Sequence, residues 1–294
     1  MNKELRELFK KNNIITRKIT LKNNVIIVSD GTNKYVIKKR YKDLKKLYEY
    51  LKSRNFNYFP KIIYQTNNYD IYEYINNIEI SEEEKSIDLI KLVSILHSKT
   101  TFYKEIDDNT YKELYENINN HLDYLYHYYD DIANTIEQDE YMSPSNYFFI
   151  RNITLIFKSI NYAKKQINKW YKIIEEKKKI RLVNIHNNLK LDNYLLSNKP
   201  YLISWQFSKK DLPIYDLLYL YKNYYKELDF CNLLKIYESN YPLLKEEKIL
   251  LFVLISIPEK IEYNKSEFKL CQVINDFYDY LLSSEKLIKD YVIE

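Results

Sequence analysis

The sequence contains a single glycine, Gly31, among 294 residues. Average usage of about 7% would give roughly twenty glycines in a chain of this length. Phosphate-binding loops that depend on closely spaced glycines are therefore excluded, including the P-loop and the dinucleotide-binding fingerprint. The nucleophile elbow is excluded for the same reason. A phosphate site in this chain must be built from side chains or from the backbone of other residues.

Cysteine and long apolar runs are also scarce. The two cysteines, Cys231 and Cys271, have no metal-ligand spacing, and we expect both to be reduced core residues of a cytoplasmic protein. No apolar run approaches the ~18–20 residues that a membrane-spanning helix needs. The charged, helix-periodic segment at residues 1–9 argues against a signal peptide. We therefore expect no membrane span.

The charge pattern argues against a nucleic-acid partner. The formal net charge is +5, and lysines are interspersed with acidic residues almost everywhere. The densest basic run, residues 177–181, is short and is typical of a solvated helix end. The 33 tyrosines accompany high Lys, Asn and Ile contents, as expected for an AT-rich genome; an adhesive or crosslinking surface is the alternative.

The first 75 residues have the pattern of a small β-rich unit. A helix near residues 2–11 precedes three strands, and a helix over 41–53 with Leu44, Leu47 and Leu51 on one face separates them from two more. Turns are expected at Lys22-Asn23-Asn24 and at Asp30-Gly31-Thr32-Asn33. The predicted strands are Ile15–Leu21, Val25–Ser29, Lys34–Lys39, Ile62–Gln65 and Tyr69–Ile75.

Residues 76–294 are mostly helical in pattern. Two long helices, 110–138 and 144–178, are separated near Pro144, with Ser143 or Ser145 as the cap. A short strand ending at Ile185 leads into a polar loop. A hairpin of Tyr194–Leu196 and Tyr201–Ile203 follows, and four more helical stretches fill 214–287. The sequence therefore predicts an α+β fold with two domains, 1–75 and 76–294.

Residues 186–193, HNNLKLDN, have the spacing of the His-x-Asp-x-x-x-x-Asn catalytic loop of kinases. In such proteins a strand soon after the loop carries a metal-binding Asp. Here Asn188 stands at the base position and Ser204 at the metal position. An amide has no useful basicity, which forfeits general-base assistance of ~10²–10⁴-fold, and a neutral hydroxyl is a poor ligand for a hard cation. Asp192 and Asp211 are the nearest relocated acids; a merely polar, Asn-rich loop is the other interpretation.

Lys38 lies on the predicted third strand, where Val36 shares its face. Val36 would then cover a nucleotide base while Lys38 reaches its phosphates, although a lysine on an edge strand is ordinarily just solvated. An acidic partner for Lys38 on the following helix is left open between Asp43 and Glu49. The segment from Glu73 through Ile75 to Asn77 is where a hinge would present its backbone to a base.

Taken together, these motifs resemble the aminoglycoside phosphotransferase/choline kinase branch of the protein-kinase fold. Within that branch the sequence is most similar to the spore-coat-associated kinase-like proteins of endospore-forming bacteria, with degenerate catalytic motifs. The resemblance implies a two-lobed α+β fold with a small β-rich N-lobe and a large helical C-lobe. The motifs that carry it are Lys38, the hinge, the helix with Leu92, Leu96 and His97, the two long helices, the loop at 186–193, Ile203-Ser204-Trp205 and Pro213-Ile214-Tyr215-Asp216-Leu217.

The resemblance also assigns roles to single residues. His186 would brace the loop, Lys190 would approach the γ-phosphate, and Asn193 would coordinate metal beside the degenerate Ser204. Asp216 would tie the loop to the next helix. The nucleotide-binding residues would be Val36, Lys38, Glu73 and Ile75, with Asn188 at the catalytic position.

These roles imply a pseudokinase in which binding of ATP and Mg²⁺ is weak or absent. It would act as a binding or scaffold protein, cytoplasmic or in the spore coat, with protein partners that include coat components. Two alternatives remain, an active ATP-dependent small-molecule phosphotransferase with rearranged acids and a tyrosine-rich nucleic-acid binder. The sequence identifies no small-molecule substrate.

Overall fold

The computed structural model describes residues 3–11, 18–22, 25–263 and 265–292. The chain forms two compact units, and each is described by itself. The first comprises Met1–Thr100 with Lys190–Ser208, and the second Thr101–Leu189 with Lys209–Glu294. The predicted lobe boundary after Ile75 falls inside the first unit, so the division into lobes at this residue stays a prediction.

The first unit is built on a five-stranded antiparallel sheet of order β1-β2-β3-β5-β4. Three helices and a short hairpin (β8 and β9) complete it. The strands are β1 (Lys18–Lys22), β2 (Val25–Ser29), β3 (Lys34–Lys39), β4 (Ile62–Gln65), β5 (Tyr69–Glu73), β8 (Tyr194–Leu196) and β9 (Pro200–Leu202), and the helices are α1 (Lys3–Lys11), α2 (Lys45–Ser53) and α3 (Glu82–Thr100).

The predicted turn between β2 and β3 is held by Asp30. Its carboxylate accepts backbone N–H groups from Thr32 at 2.9 Å and Asn33 at 2.6 Å. Gly31, the one glycine, has a φ of 102°, which a residue with a Cβ adopts only at a cost. The single glycine is thus used where the hairpin needs it.

Alternation along the strands gives the sheet two different faces. Val28, Ile37 and Ile71 are buried together with Leu5 and Phe9 of α1. The opposite face, which carries Ile27, Val36, Lys38 and Tyr72, lines a cavity. Successive side chains of a strand point to opposite sides. The strand register that buries Val28, Ile37 and Ile71 against α1 therefore directs the alternate residues into the cavity.

Several predicted bounds in this unit are wrong. The helix expected from residue 41 begins at Lys45, where the carboxylate of Asp43 accepts the Lys45 N–H at 3.0 Å. The strand expected to reach Ile75 ends at Glu73. Residues 15–17 of the first predicted strand and Asn23-Asn24 of its turn lie outside the described residues, and β1 begins at Lys18.

The second unit is helical around a small antiparallel sheet of order β10-β7-β6. Helix α5 packs against α4, α8 and α9, and it buries Trp170. Ser143 caps α5 by accepting the Asn146 N–H at 3.3 Å, which decides between the two predicted caps. The elements are β6 (Phe102–Glu105), α4 (Asp108–Glu137), α5 (Pro144–Glu175), β7 (Lys179–Ile185), β10 (Lys209–Asp211), α6 (Ile214–Tyr224), α7 (Phe230–Asn240), α8 (Lys245–Ser256) and α9 (Glu267–Val292).

The predicted α+β class is confirmed, with a small antiparallel sheet in one part of the chain and a larger helical part. Cys231 and Cys271 are free and only half-buried, so the expectation that they are core residues is wrong. Among the described helices, none combines the length and apolar character required to cross a bilayer.

Candidate functional site

A cavity of about 370 Å³ lies within the first unit. One wall is the face of the sheet opposite α1, and another comes from the hairpin β8–β9 and the residues that follow it. Five of the predicted site residues line it, namely Val36, Lys38, Glu73, Ile75 and Ser204. Ligand sites in proteins have volumes of about 300–1,000 Å³, so this cavity is at the small end of that range.

Lys38 points into this cavity from the middle of β3. Its neighbour across the strands is Asp70, which lies opposite it on β5. The ammonium Nζ donates to the hydroxyl of Ser204 at 3.2 Å. Burial lowers the pKa of Lys38, because removal from water penalises the charged form. Within the described residues Lys38 has no carboxylate partner, so its charge is compensated only by a hydroxyl dipole.

Ser204 has left-handed backbone angles, with φ 69° and ψ 48°. This region is favoured by Gly, Asn and Asp and costs other residues more. The neighbouring Trp205 is fully buried, and its indole N–H donates to the Leu202 carbonyl at 2.6 Å. Edge-to-face contacts with Phe56 at 5.9 Å and Phe59 at 6.3 Å hold the indole. Because Trp205 is packed in this way, it restrains the backbone of the adjacent Ser204, and the Ser204 hydroxyl is directed accordingly.

Helix α2 presents Tyr48, and not an acid, to the cavity. Tyr48 is buried and stacks on Phe59 at 4.2 Å. Glu49 is exposed, and Asp43 pairs with Arg40 at 3.1 Å. Of the two acids left open for Lys38, neither pairs with it among the described residues.

A buried tyrosine pair continues from α2 to β5. Burial and the neighbouring Tyr72 raise the pKa of Tyr48 well above its ordinary value. The Tyr72 hydroxyl donates to Asp70 at 3.5 Å, and burial raises the pKa of that carboxyl. Arg40 lies 3.8 Å from Asp70. The back of the cavity is therefore aromatic and polar but carries no free anion directed at Lys38.

The hinge segment is anchored at both ends. The carboxylate of Glu73 accepts the Lys61 N–H at 2.9 Å. At the other end, Asn77 accepts the Leu196 N–H at 2.9 Å, and the Ile78 N–H donates to the Leu196 carbonyl at 2.7 Å. Ile75 between them makes no backbone hydrogen bond to another described residue. Its N–H and C=O are therefore available to a ligand in the cavity.

The first half of the catalytic-like loop belongs to the second unit and is held by Asp216. This fully buried carboxylate accepts the backbone N–H of His186 at 2.8 Å and of Asn187 at 2.7 Å. Asn187 has a φ of 57°, a conformation that asparagine tolerates better than most residues. The tie between loop and helix that the sequence predicts for Asp216 is thus present.

The remaining loop residues are placed by short-range contacts. The Asn188 side-chain oxygen accepts the Tyr219 hydroxyl at 3.2 Å. Asn193 is almost fully buried, donates its N–H to the Lys190 carbonyl at 3.0 Å, and accepts the Ile203 N–H at 2.9 Å. Lys190 and Asn193 are in the first unit but do not line the cavity. His186 and Asn188 are in the second unit, and the roles predicted for these four residues stay predictions.

The two relocated-acid candidates have ordinary surroundings. Asp192 is exposed. Asp211 lies on β10 and forms an ion pair with Lys209 at 2.7 Å. Among the residues that the structure describes, no three His, Cys, Asp or Glu side chains are grouped as metal ligands.

Sequence reasoning missed Tyr48 and Tyr72 as cavity residues. Tyr48 lies four residues after Leu44 and three before Leu51, so it belongs to the predicted apolar face of α2 and its position could have been inferred. Tyr72 is opposite Val36 in the sheet, and that register could not be read before the strands were paired. The left-handed backbone at Ser204 gave no sequence signal.

Of the comparisons with known proteins, only the one with solved structures found matches, and these concern the fold. No protein-family model matches the chain, and no curated protein matches it significantly in sequence. An aminoglycoside phosphotransferase from Alicyclobacillus acidocaldarius superposes with a TM-score of 0.65 at 8% identity, over 95% of this chain and 90% of that one. A spectinomycin phosphotransferase in complex with ADP and spectinomycin gives 0.54 at 14% identity, over 98% of both chains.

A microcompartment-associated aminopropanol kinase gives a TM-score of 0.52 at 10% identity, over 98% of this chain and 99% of that one. The chain therefore has the kinase-like fold of these phosphotransferases and kinases. At these identities the likeness concerns the fold only.

The residues present do not fit the magnesium ion that kinases of this fold use. Mg²⁺ requires near-octahedral oxygen ligands, of which one or two are carboxylates in nucleotide sites. Ser204 offers a neutral hydroxyl, and the Lys38 ammonium lies 3.2 Å from it. A dication at this position would lie close to the Lys38 ammonium, which repels it, and Ser204 offers no negative charge to bind it.

Proposed function

We propose that this protein is a pseudokinase that binds a nucleotide-like ligand in the cavity and does not transfer phosphoryl groups. The observation that carries the proposal is the direct hydrogen bond between Lys38 and Ser204. In a working phosphotransferase the corresponding lysine contacts the phosphates and the aspartate holds the metal. Here the lysine is retained and the acid is not, which preserves a ligand-binding wall without the metal site.

The base position supports the same conclusion independently. Asn188 can hold a hydroxyl group but cannot accept its proton, and general-base assistance is worth ~10²–10⁴-fold. Loss of metal stabilisation removes several kcal/mol more from the transition state. The combination leaves a protein whose biochemical role is binding.

A binding or scaffold role in the spore coat is the finer form of this proposal. It rests on the sequence resemblance to spore-coat-associated kinase-like proteins, and the partners would be coat components. Fractionation of coats from sporulating cells tests it, because a coat scaffold must copurify with insoluble coat. Absence from every coat fraction, together with expression in vegetative cells, would remove this role.

An active small-molecule phosphotransferase is the second candidate. It is favoured by the intact brace of the loop, where Asp216 holds His186 and Asn187, and by the fold shared with phosphotransferases. In that case Asp211 or Asp192 would have to supply the missing carboxylate.

Two measurements separate the candidates. The first is the thermal shift caused by ATP with Mg²⁺ or Mn²⁺ in the wild type and in Lys38→Ala. The second is transfer of labelled phosphate from ATP to water and to a panel of aminoglycosides, choline and ethanolamine. A pseudokinase gives ligand-dependent stabilisation that Lys38→Ala weakens, with no labelled product above that variant's background. Metal-dependent product that disappears in Asp211→Asn would establish the second candidate.

A further inference from the structure

The charge of the cavity wall limits what the cavity can hold. Among the lining residues that the structure describes, Lys38 is the one cation, Glu79 is a carboxylate, and the carboxylate of Glu73 is engaged by the Lys61 N–H, so one positive and one negative charge remain. Kinase sites meet the charge of a triphosphate with cations and metal ions. A wall with one cation and one carboxylate does not compensate the charge of a triphosphate and is compatible with a neutral or weakly charged ligand.

The surroundings of Lys38 set a second limit. Its side chain is half-buried, and the ammonium already donates to Ser204 at 3.2 Å. A lysine ammonium has three donors, so it can also contact one phosphate group. Among the described residues, no second cation lines the cavity to meet another phosphate. The polar end of the cavity is therefore suited to a ribose or to a single phosphate.

The remaining walls fit a flat heterocyclic base. Val25, Ile27 and Val36 form an apolar surface on the sheet side, and Leu195 and Ile203 also line the cavity. Ile75 leaves its backbone N–H and C=O without a partner among the described residues, and these groups can pair with the edge of a base. A volume of about 370 Å³ favours a ligand no larger than a mononucleotide.

We propose that the ligand of this cavity is a nucleoside carrying at most one phosphate, and that it binds without a divalent metal. This inference rests on the proposed function, since it names the ligand class of the same cavity. It differs from that function in excluding metal-complexed ATP as the preferred ligand.

Isothermal titration calorimetry of the full chain with adenosine, guanosine, AMP, GMP and ATP, each with and without Mg²⁺, tests the inference. We expect a nucleoside or its monophosphate to bind at least about tenfold more tightly than ATP, equivalent to about 1.4 kcal/mol. We also expect Mg²⁺ to leave that affinity unchanged. If ATP with Mg²⁺ binds more tightly than every nucleoside and monophosphate, this inference is wrong while nucleotide binding stands. If no compound binds, the proposed function fails with it.

Charge variants make the reason testable. Glu79→Gln removes a lining carboxylate from an exposed position, and we expect it to strengthen ATP binding more than adenosine binding. Glu82→Gln, an exposed acid at the start of α3 that does not line the cavity, is the matched control. Lys38→Met should weaken binding of the monophosphate and leave the nucleoside almost unaffected. Equal responses of all ligands to Glu79→Gln would contradict the charge argument.

Discussion

Lys38 Nζ and Ser204 Oγ are hydrogen-bonded at 3.2 Å, across 166 positions of sequence. In the proposed pseudokinase, the first residue takes the place of a phosphate-binding lysine and the second that of a metal-binding aspartate. An ammonium beside an aspartate gives no net charge and leaves carboxylate oxygens for a metal, whereas an ammonium beside a serine leaves a net positive charge. In this proposal, serine at position 204 makes the place where a metal would bind unfavourable for a cation.

Asp216 should be essential for the stability of the helical unit. It is fully buried and accepts two backbone N–H groups, and hydrogen bonds to charged groups are worth ≈ 1.5–3 kcal/mol each. Asp216→Asn replaces one acceptor with an amide N–H that faces a donor, and we expect a loss of about 3 kcal/mol in urea unfolding. Asp192→Asn, an exposed carboxylate of the same loop, is the control and should change stability by less than about 0.5 kcal/mol. Equal effects of the two would refute the assigned role.

Arg181 and Glu247 form a buried ion pair in the same unit. Arg181 Nε donates to Glu247 at 3.0 Å, a second guanidinium nitrogen contacts the other carboxylate oxygen, and the group lies 4.2 Å from the Tyr241 ring centre. Removing one partner of such a pair costs about 3–5 kcal/mol, which we expect for Arg181→Ala. Lys226→Ala breaks an exposed pair with Asp276 and should cost at most about 1 kcal/mol. Thermal denaturation of both variants measures the difference.

The buried ammonium of Lys38 predicts a pH effect on stability. Because burial lowers its pKa in the folded state, the folded protein releases this proton at lower pH than the unfolded chain, whose lysines titrate near 10.4. Between these two pKa values the unfolded state binds more protons, so this lysine makes wild-type stability rise with pH. Lys38→Met lacks that contribution.

We therefore expect the stability of the wild type relative to Lys38→Met to increase as the pH is raised toward the value of about 10.4 at which unfolded lysines titrate. Lys39→Met, at an exposed position on the same strand, should show no such trend. Denaturant unfolding across this range is the measurement, and a pH-independent difference for Lys38→Met would contradict the effect.

Asparagine takes over some of the backbone roles of the missing glycines. Asn55, exposed after α2, has a φ of 56°. Left-handed angles cost residues with an ordinary Cβ ~1–2 kcal/mol and asparagine less. Asn55→Ala should therefore lose about 1 kcal/mol, whereas Asn55→Gly should lose nothing. Asn57→Ala, at an exposed position without a positive φ, controls for the loss of the amide, and denaturant midpoints distinguish the three.

The regular elements of this fold were largely predictable, because hydrophobic periodicity specifies them. The bounds of β2 and β3 agree with the sequence pattern, and four helices occur in the described residues after 214, as predicted. Strands β6 and β10 were missed. Both are short edge strands, and most of their residues are exposed, so neither carries the alternation that marks a half-buried strand.

The cavity was only partly predictable. Val36 and Lys38 follow from strand periodicity, and Ser204 from its motif. Tyr48, by contrast, occupies the cavity side of α2 where an acid was sought. Whether Asp43, Glu49 or neither faces Lys38 depends on where α2 begins, and the Asp43 hydrogen bond to the Lys45 N–H decides that start. Composition and periodicity do not locate the first residue of a helix to within four positions.

The central claim is that Ser204, at the position where an aspartate would bind magnesium, removes magnesium-dependent nucleotide binding. Titration of ATP with and without Mg²⁺ into the wild type and into Ser204→Asp tests it most directly, because aspartate tolerates the left-handed angles of this position. We predict that Mg²⁺ leaves the wild-type affinity unchanged and strengthens binding to Ser204→Asp at least about tenfold, which is about 1.4 kcal/mol. A comparable magnesium-dependent gain in the wild type itself would contradict the claim.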